Sequence, residues 1–385
     1  MATQVNRRNW LRATSLMASG MAMGPALGTL SARPIHRQGV RSYYYSELDA
    51  AVPLMAKLNA NENPFGPSPM AKLAVMEAAS KGNRYGHREA FKLMEVIAEK
   101  EGVTKDHIML GPGSTDLLEK VALTSFMDGG TVLSAAPAYM SLVNTSKAVG
   151  ATWNNVHLTP DHSHDLAGMK AAINDDTKLV YICNPNNPTG SLTPSEDLKT
   201  FCKEVSDKVP VFVDEAYLEF LPDTMSKSMV GLVAEGKDVI VARTFSKVHG
   251  MAGLRIGYIV AKPERIEKLR KTVRGTMGLC ITSIHGALAS LKDEKFQAKT
   301  VAKTAEAREY TFEKLTSMGF DPIPSYTSFM IFPISMPGEE ALEKMGEKGV
   351  GIRVFSIDDS DWLRVSMGTM PEMELFVNAL GQVLG

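Results

Sequence analysis

The chain has little cysteine. Its 385 residues include three cysteines, Cys183, Cys202 and Cys280, and these form neither a CxxC pair nor a spacing typical of metal ligands. We interpret them as small core residues, which argues against a disulfide framework. We therefore predict no metal site and no structural disulfide.

Excess charge of one sign is also missing. Lysine and arginine number 42 against 43 acidic residues, and no long basic run occurs. A nucleic-acid partner is therefore not expected. Neither internal repeats nor low-complexity linkers interrupt the chain, and 44% of its residues are hydrophobic. A chain of 385 residues accommodates a large domain and a smaller one. We interpret the motifs DHSHDL and IDDSD as solvated loops.

Acidic residues are absent before Glu47. The segment NRRNWLR places Arg7 and Arg8 before an aromatic residue and a leucine, and no charge follows Arg12 until Arg33. The intervening residues are rich in Ala, Gly and Met and only moderately apolar. This pattern predicts a twin-arginine export signal in residues 1–33, hence the twin-arginine machinery as partner and a periplasmic location, with membrane anchoring if the signal stays uncleaved. A basic N-terminal arm is the alternative.

The most informative segment is RTFSKVHGMAGLRIGY, residues 243–258, which follows the apolar strand DVIVA. Ser246 and Lys247 fall just past the carboxyl end of that strand, where parallel α/β sheets bind ligands. A lysine can form an imine with an aldehyde, and Ser246 and Arg255 suit a phosphate. Together they point to pyridoxal 5'-phosphate. Taken alone, Lys247 would be a solvated loop lysine.

Two further strands end in groups that suit the same cofactor. Asp214 ends the strand in KVPVFVDEAY, where a carboxylate would keep a pyridine nitrogen protonated. Asn187 follows KLVYIC in a proline-rich turn and could donate to the phenolic oxygen. The alternatives are a helix N-cap for Asp214 and ordinary turn chemistry for Asn187.

Two more strands complete the pattern. HIMLGPGSTDLLEK indicates a strand, a glycine turn and a helix, so the N–H groups of Gly113, Ser114 and Thr115 form a phosphate-binding nest. GTVLSAAPAY ends at Tyr139, whose ring could stack on a pyridine face. Each signal is weak alone. Five apolar strands that each deliver one suitable group at the same end are specific.

These strands lie within a larger set of motifs: LNANENPFGPSP, RYGHREAFKLMEVIA, GPGSTDLL, NPNNPTG, VDEAYLEF and TFSKVHGMAGLRIGY. With them the chain resembles the fold type I pyridoxal-phosphate enzymes, and more narrowly the class II aminotransferases of the histidinol-phosphate aminotransferase group, over about residues 58–385. The resemblance implies an α/β fold. We expect an N-terminal arm (34–69), a large domain with a seven-stranded mainly parallel sheet (70–282) and a smaller α/β domain (283–385).

The resemblance also implies residue roles. Lys247 would bind the cofactor covalently and shuttle the substrate proton, and Asp214 would pair with the pyridine nitrogen. Asn187 and Tyr217 would bind the phenolic oxygen. The phosphate would be held by Ser114, Thr115, Ser246 and Arg255, with Tyr139 stacked on the ring.

Two positions carry roles beyond the cofactor. Tyr85 matches a tyrosine that in relatives reaches across a dimer interface to the partner's cofactor phosphate, which implies a homodimer. Gly86 and His87 follow it where the family usually shows a proline-containing turn. Arg364, in DWLRVSMG, matches the arginine that binds an amino-acid α-carboxylate. Its alternative is a surface arginine on an edge strand.

The function implied by the resemblance is amino-group exchange. The donor would be an amino acid or amine, histidinol phosphate-like or aromatic, and the acceptor a keto acid such as 2-oxoglutarate. A decarboxylase or a C–S β-lyase of the same fold is the alternative. A non-catalytic cofactor-binding sensor is a third possibility, against which the intact Lys247 and Asp214 argue.

Overall fold

The structure, a computed structural model, describes residues 41–44 and 53–384. The expected export signal lies outside the described residues. Within the described ranges, no helix is both long and apolar enough to cross a membrane.

The strands of the described residues are β1 (Arg41–Tyr44), β2 (Ala56–Lys57), β3 (Ile108–Gly111), β4 (Thr131–Ala136), β5 (Thr152–His157), β6 (Thr177–Cys183), β7 (Val211–Asp214), β8 (Val239–Thr244), β9 (Gly257–Val260), β10 (Phe329–Ile334), β11 (Val350–Gly351), β12 (Arg353–Ile357) and β13 (Ser360–Ser366). The α-helices of the same residues are α1 (Pro69–Ala79), α2 (His87–Glu101), α3 (Ser114–Ser125), α4 (Ser141–Ala148), α5 (Leu166–Ala171), α6 (Ser195–Val205), α7 (Thr224–Lys227), α8 (Val230–Ala234), α9 (Pro263–Thr272), α10 (Ile281–Leu291), α11 (Glu294–Ser317), α12 (Gly338–Glu347) and α13 (Met370–Val383).

Seven strands form the main sheet, in the order β3-β9-β8-β7-β6-β4-β5. Strands β4 to β8 pair in parallel, whereas β9 is antiparallel to both β8 and β3. Because β3 is antiparallel to an antiparallel strand, it runs in the common direction. The predicted α/β class with a seven-stranded, mainly parallel sheet is confirmed.

Both faces of this sheet are buried, which explains its continuous apolar strands. Val211 and Val213 of β7 pack into the core on the α2 side, with Leu93. Phe212, between them, packs into the opposite core with Val121 of α3. This alternation follows the two-residue period of a strand. The carboxyl ends of the parallel strands are left free to carry polar groups at one edge.

A second, antiparallel sheet has the order β1-β12-β13-β10. The sequence predicts strands in YTSFMIFPI and DWLRVSMG and a closing helix in PEMELFVNALGQVLG, and β10, β13 and α13 lie there, whereas β12 and β1 were not predicted. Phe332, Leu363 and Phe376 belong to the core beneath this sheet. The short β2 pairs in parallel with β11. The N-terminal arm therefore contributes strands to the C-terminal part of the fold, and the domain boundaries remain predictions.

Three minor interpretations were wrong. Cys280 is exposed, because it lies immediately before α10, although Cys183 and Cys202 are buried as expected. His164 is buried and hydrogen-bonds to Thr193, and burial lowers its pKa to about 4. Asp361 belongs to β13, where it accepts hydrogen bonds from the Gly338 N–H and the Ser356 hydroxyl.

Candidate active site

A cavity of about 340 Å³ opens at the carboxyl edge of the main sheet. It collects side chains at or after the carboxyl ends of β3, β4, β6, β7 and β8, together with side chains from β12 and β13 of the second sheet. The predicted residues that line it are Ser114, Thr115, Tyr139, Asn187, Asp214, Tyr217, Ser246, Lys247, Arg255 and Arg364. The sequence pattern therefore identified groups that the fold brings together.

Lys247 lies in the loop after β8. Its Nζ donates to the carbonyl of Asn61 at 2.9 Å and lies 5.4 Å from the ring centroid of Tyr217. Burial, followed by the charge of Arg364, lowers the pKa of Lys247 to about 8, against the opposing effects of Glu62 and Asp214. The neutral fraction of the amine near neutral pH is therefore larger than in an ordinary lysine, and the neutral form is the nucleophile.

Asp214 is the last residue of β7 and is buried. One of its oxygens accepts the Ala216 N–H at 3.1 Å. The turn that follows, Leu218–Phe220, begins after Tyr217, so Asp214 is not an N-cap. Burial raises the pKa of Asp214 to about 7, partly offset by the Ala216 hydrogen bond and Lys247. A cation at this point of the cavity would stabilise the ionised form.

One end of the cavity is built to bind an anion. Helix α3 begins at Ser114, and Gly113 before it has a φ of 88°. A Cβ on Gly113 would collide with the guanidinium of Arg255. That guanidinium donates to the Ala252 carbonyl at 2.8 Å. A helix N-terminus, two hydroxyl side chains (Ser114 and Ser246) and an arginine form the donor set that phosphate prefers. Gly113 shapes this end without lining the cavity.

Two arginines occupy the other end. Arg364 lies on β13, between β12 and β10, and is buried, so the edge-strand alternative was wrong. It donates from Nη1 to Asn187 Oδ1 at 2.8 Å, and its Cζ lies 5.0 Å from the ring centroids of both Phe329 and Phe355. Its Nε has no hydrogen-bond partner within the described structure. Arg353 faces it across the β12–β13 pair and lines the same cavity. Burial, then Arg353, lowers the pKa of Arg364 to about 9.

Comparison with known proteins identifies the family. A family model described as aminotransferase class I and II matches residues 54–380. The chain belongs to this family. It is 35% identical over 330 residues to a histidinol-phosphate aminotransferase of Moorella thermoacetica, covering 85% of each chain. It is 33% identical over 347 residues to histidinol-phosphate aminotransferase 2 of Carboxydothermus hydrogenoformans, covering 88% of this chain and 93% of that one.

Solved structures agree with this assignment. The histidinol-phosphate aminotransferase of Sinorhizobium meliloti, crystallised in complex with pyridoxal-5'-phosphate, matches with a TM-score of 0.80 at 27% identity, covering 88% of this chain and 93% of that chain. Aspartate aminotransferase of Thermus thermophilus matches with a TM-score of 0.74 at 21% identity, which supports the fold alone. The main sheet and second sheet of this aminotransferase are therefore the arrangement found in its relatives.

Asn61 is a site residue of the aminotransferase that the sequence reasoning missed. It is buried and has a left-handed backbone, with a φ of 54°. Its Nδ2 donates to the Tyr217 hydroxyl at 3.0 Å, and its Oδ1 accepts from Ser366 Oγ at 2.9 Å. Asparagine in a left-handed conformation is a recognisable signal only when the fold is known, since the motif LNANENP contains three asparagines.

Tyr85 is the predicted residue that the fold places elsewhere. It precedes α2, is 86% exposed, and stacks on the His87 ring at 5.4 Å between centroids. It does not line the cavity of its own chain. The role of Tyr85 at a partner's cofactor therefore stays a prediction.

Proposed function

We propose that this aminotransferase binds pyridoxal 5'-phosphate in the cavity and exchanges an amino group between an amino acid or amine, histidinol phosphate-like or aromatic, and a keto acid such as 2-oxoglutarate. One observation carries the proposal: a partly buried Lys247 and a buried Asp214 line one cavity, between an anion-binding helix end and two arginines. Few other reactions use this combination.

The residues present fit the cofactor. Asp214 is a buried carboxylate with a raised pKa, and a protonated ring nitrogen is the cation that would stabilise it. Asn187 and Tyr217 lie where they can bind the phenolic oxygen, and Tyr139 lies where it can stack on the ring. The residues that would hold the phosphate are Ser114, Thr115, Ser246 and Arg255. Bound cofactor supplies an aldehyde that captures amines covalently and a ring that accepts the electron pair left when a Cα proton departs.

The chain's own groups then have defined tasks. Lys247, with its lowered pKa, would carry the proton from the substrate Cα to the cofactor's C4'. Arg364 holds the substrate carboxylate with a planar pair of donors. The phenyl rings of Phe329 and Phe355 flank that guanidinium and exclude water, which strengthens its interaction with an anion.

The paired arginines support a donor with more than one negative charge. Arg353 and Arg364 line one end of the cavity, so together they suit a phosphate or two carboxylates. Histidinol phosphate, the compound in the relatives' names, carries a phosphate, and glutamate carries two carboxylates. Both are accepted in this proposal, one in each half of the exchange.

The same proposal includes a homodimer in which Tyr85 reaches the partner's cofactor phosphate. Its support is the exposure of Tyr85 and the apolar surface on neighbouring helices, where Leu73, Met76 and Phe91 are more than half exposed. Helices α1 and α2 both pack on α10. Large exposed apolar side chains on adjacent elements are typical of subunit interfaces.

Export by the twin-arginine route is proposed from the sequence alone. Arg7 and Arg8 followed by an uncharged segment support it. Replacing both arginines by lysine should leave folded, active enzyme in the cytoplasm, as measured by activity in cell fractions. Unchanged recovery in the periplasm or membrane would show that the segment has another role.

Chemical labelling tests the cofactor assignment. Borohydride reduction of purified protein should fix the cofactor on the peptide that contains Lys247, and Lys247→Ala should remove both the label and turnover.

An amino-donor screen then distinguishes transamination from the alternative reactions. Keto acid with pyridoxamine phosphate supports transamination, whereas amine with carbon dioxide would mean decarboxylation. Binding without any spectral change on donor addition would mean a sensor.

A further inference from the structure

The hydrogen bonds around Asn61 have fixed directions. The hydroxyl of Ser366 accepts the backbone N–H of Asn61 at 2.8 Å. Its own proton is therefore available for the other close partner, Asn61 Oδ1, at 2.9 Å. In the structure the amide oxygen of Asn61, which can only accept, lies on the Ser366 side. The amide nitrogen then faces Tyr217.

This direction determines which role Tyr217 plays. Asn61 Nδ2 can only donate, so the Tyr217 oxygen, 3.0 Å away, must accept. The phenol has one proton, and that proton must point to another acceptor. Tyr217 lines the cavity, and burial raises its pKa, so it keeps its proton at working pH. Its hydroxyl is thereby prepared to donate into the cavity.

We propose that Asn61 is a positioning residue that fixes Tyr217 as a hydrogen-bond donor to the phenolic oxygen of the cofactor. The inference rests on the proposed function. Asn61 acts through Tyr217 and is held by Ser366, two residues after Arg364 on β13. The chain of hydrogen bonds thus joins the strand of the substrate arginine to the phenol.

The backbone of Asn61 has a separate task that the experiment must leave intact. Its carbonyl accepts from Lys247 Nζ at 2.9 Å, and its left-handed φ of 54° gives that carbonyl its direction. Asparagine, aspartate and glycine adopt this conformation more readily than other residues. Asn61→Asp and Asn61→Gly therefore change the side chain with the least disturbance of the backbone.

The test compares two probes on purified apoprotein. One is pyridoxine 5'-phosphate, and the other is its analogue without the phenolic oxygen; neither has an aldehyde, so neither bonds to Lys247. Titration calorimetry gives both affinities. Wild-type protein should prefer the phenolic probe by about tenfold or more, the size of one hydrogen bond to a charged acceptor.

Asn61→Asp should lower this preference severalfold, to the part that Asn187 supplies. An aspartate offers only acceptors, so the Tyr217 proton turns to it and away from the cavity. Asn61→Gly should give an intermediate preference, because the phenol is then free to rotate. Asn63→Asp is the matched control. It adds the same charge in the same arm, but Asn63 bonds to the Lys247 and Val248 carbonyls and not to Tyr217, so the preference should stay at the wild-type value.

The outcomes separate the two proposals. If wild-type protein binds neither probe, the cofactor assignment itself is wrong. If it binds both equally, no donor serves the phenolic oxygen and the inference is wrong. If wild-type distinguishes them and Asn61→Asp lowers both affinities while keeping their ratio, Asn61 is merely structural and the inference is wrong. Should the aspartate variant fail to fold, an unchanged ratio in Asn61→Gly leads to the same conclusion.

Discussion

At the residue scale, Arg364 makes the sharpest prediction about substrate. Truncation to Ala leaves a substrate carboxylate without its charged partner. kcat/KM for carboxylate donors should therefore fall, by an amount that corresponds to a rise of roughly 2 to 4 kcal/mol in activation free energy. Arg364→Lys should recover part of the loss, since an ammonium cannot reproduce two parallel donors. Steady-state kinetics with glutamate measures both.

Cofactor content is the control for that variant. It should stay at the wild-type level, because Arg364 is assigned to substrate. Arg364 also donates to Asn187, so thermal denaturation should accompany the kinetics to detect loss of folding. Reduced cofactor content with an intact glutamate half-reaction would show that the carboxylate binds elsewhere, with Arg353 as the next candidate.

Asp214 predicts a pH dependence of stability in the apoprotein. Its folded-state pKa of about 7 exceeds the ordinary value of 3.8. The folded state therefore binds the proton more tightly, and the resulting stability is complete below pH 3.8 and lost as the pH rises through 7. The side-chain amide introduced by Asp214→Asn cannot titrate, so the free energy of unfolding of this apo variant should rise relative to wild type between pH 3.8 and about 7, by up to a few kcal/mol.

Urea denaturation of the two apoproteins at several pH values measures this difference. Saturating cofactor should remove the variant's advantage above about pH 7, because a cationic ring nitrogen stabilises the ionised carboxylate and not the amide. Parallel stability curves for the two apoproteins would mean that Asp214 titrates normally and that its environment is more polar than the structure indicates.

At the element scale, the strands that carry the site could be predicted because each is short, apolar and buried on both faces. Val211–Asp214 and Val239–Thr244 are examples, and their polar residues begin where the strands end. Parallel strands end at one edge, so the coincidence of Asp214 and Lys247 followed from local patterns alone.

The pairing of strands that lie far apart in the chain could not be predicted from the sequence. Strand β1 pairs with β12, which follows it by some three hundred positions, and neither has an extended apolar run. The role of Asn61 depends on the same kind of contact, since Ser366 lies 305 positions away. The burial of Arg364 also depends on β12 beside it. Local propensity contains no information on these neighbours.

At the scale of the whole molecule, the described residues 41–44 and 53–384 form one compact unit, so both sheets contribute to a single site in each chain. Tyr85 does not line the cavity of its own chain, and its side chain is 86% exposed. If Tyr85 acts at a cofactor, as proposed, a partner subunit must complete the site. Closed two-fold symmetry would then complete both sites at once.

Hybrid dimers test this arrangement. Lys247→Ala and Tyr85→Ala chains, carrying different tags, should each form homodimers of low activity. When the two are co-expressed, the mixed dimer has one site that combines the intact Lys247 of one chain with the intact Tyr85 of the other. Activity should recover to roughly a quarter of wild type, since half of the dimers in a random mixture contain one chain of each variant and one of their two sites is complete.

If Tyr85 acted within its own chain, no site in the mixture would be complete and activity would stay low. Successive purification on the two tags checks that mixed dimers form, so low activity in their presence would contradict the role of Tyr85 across the interface.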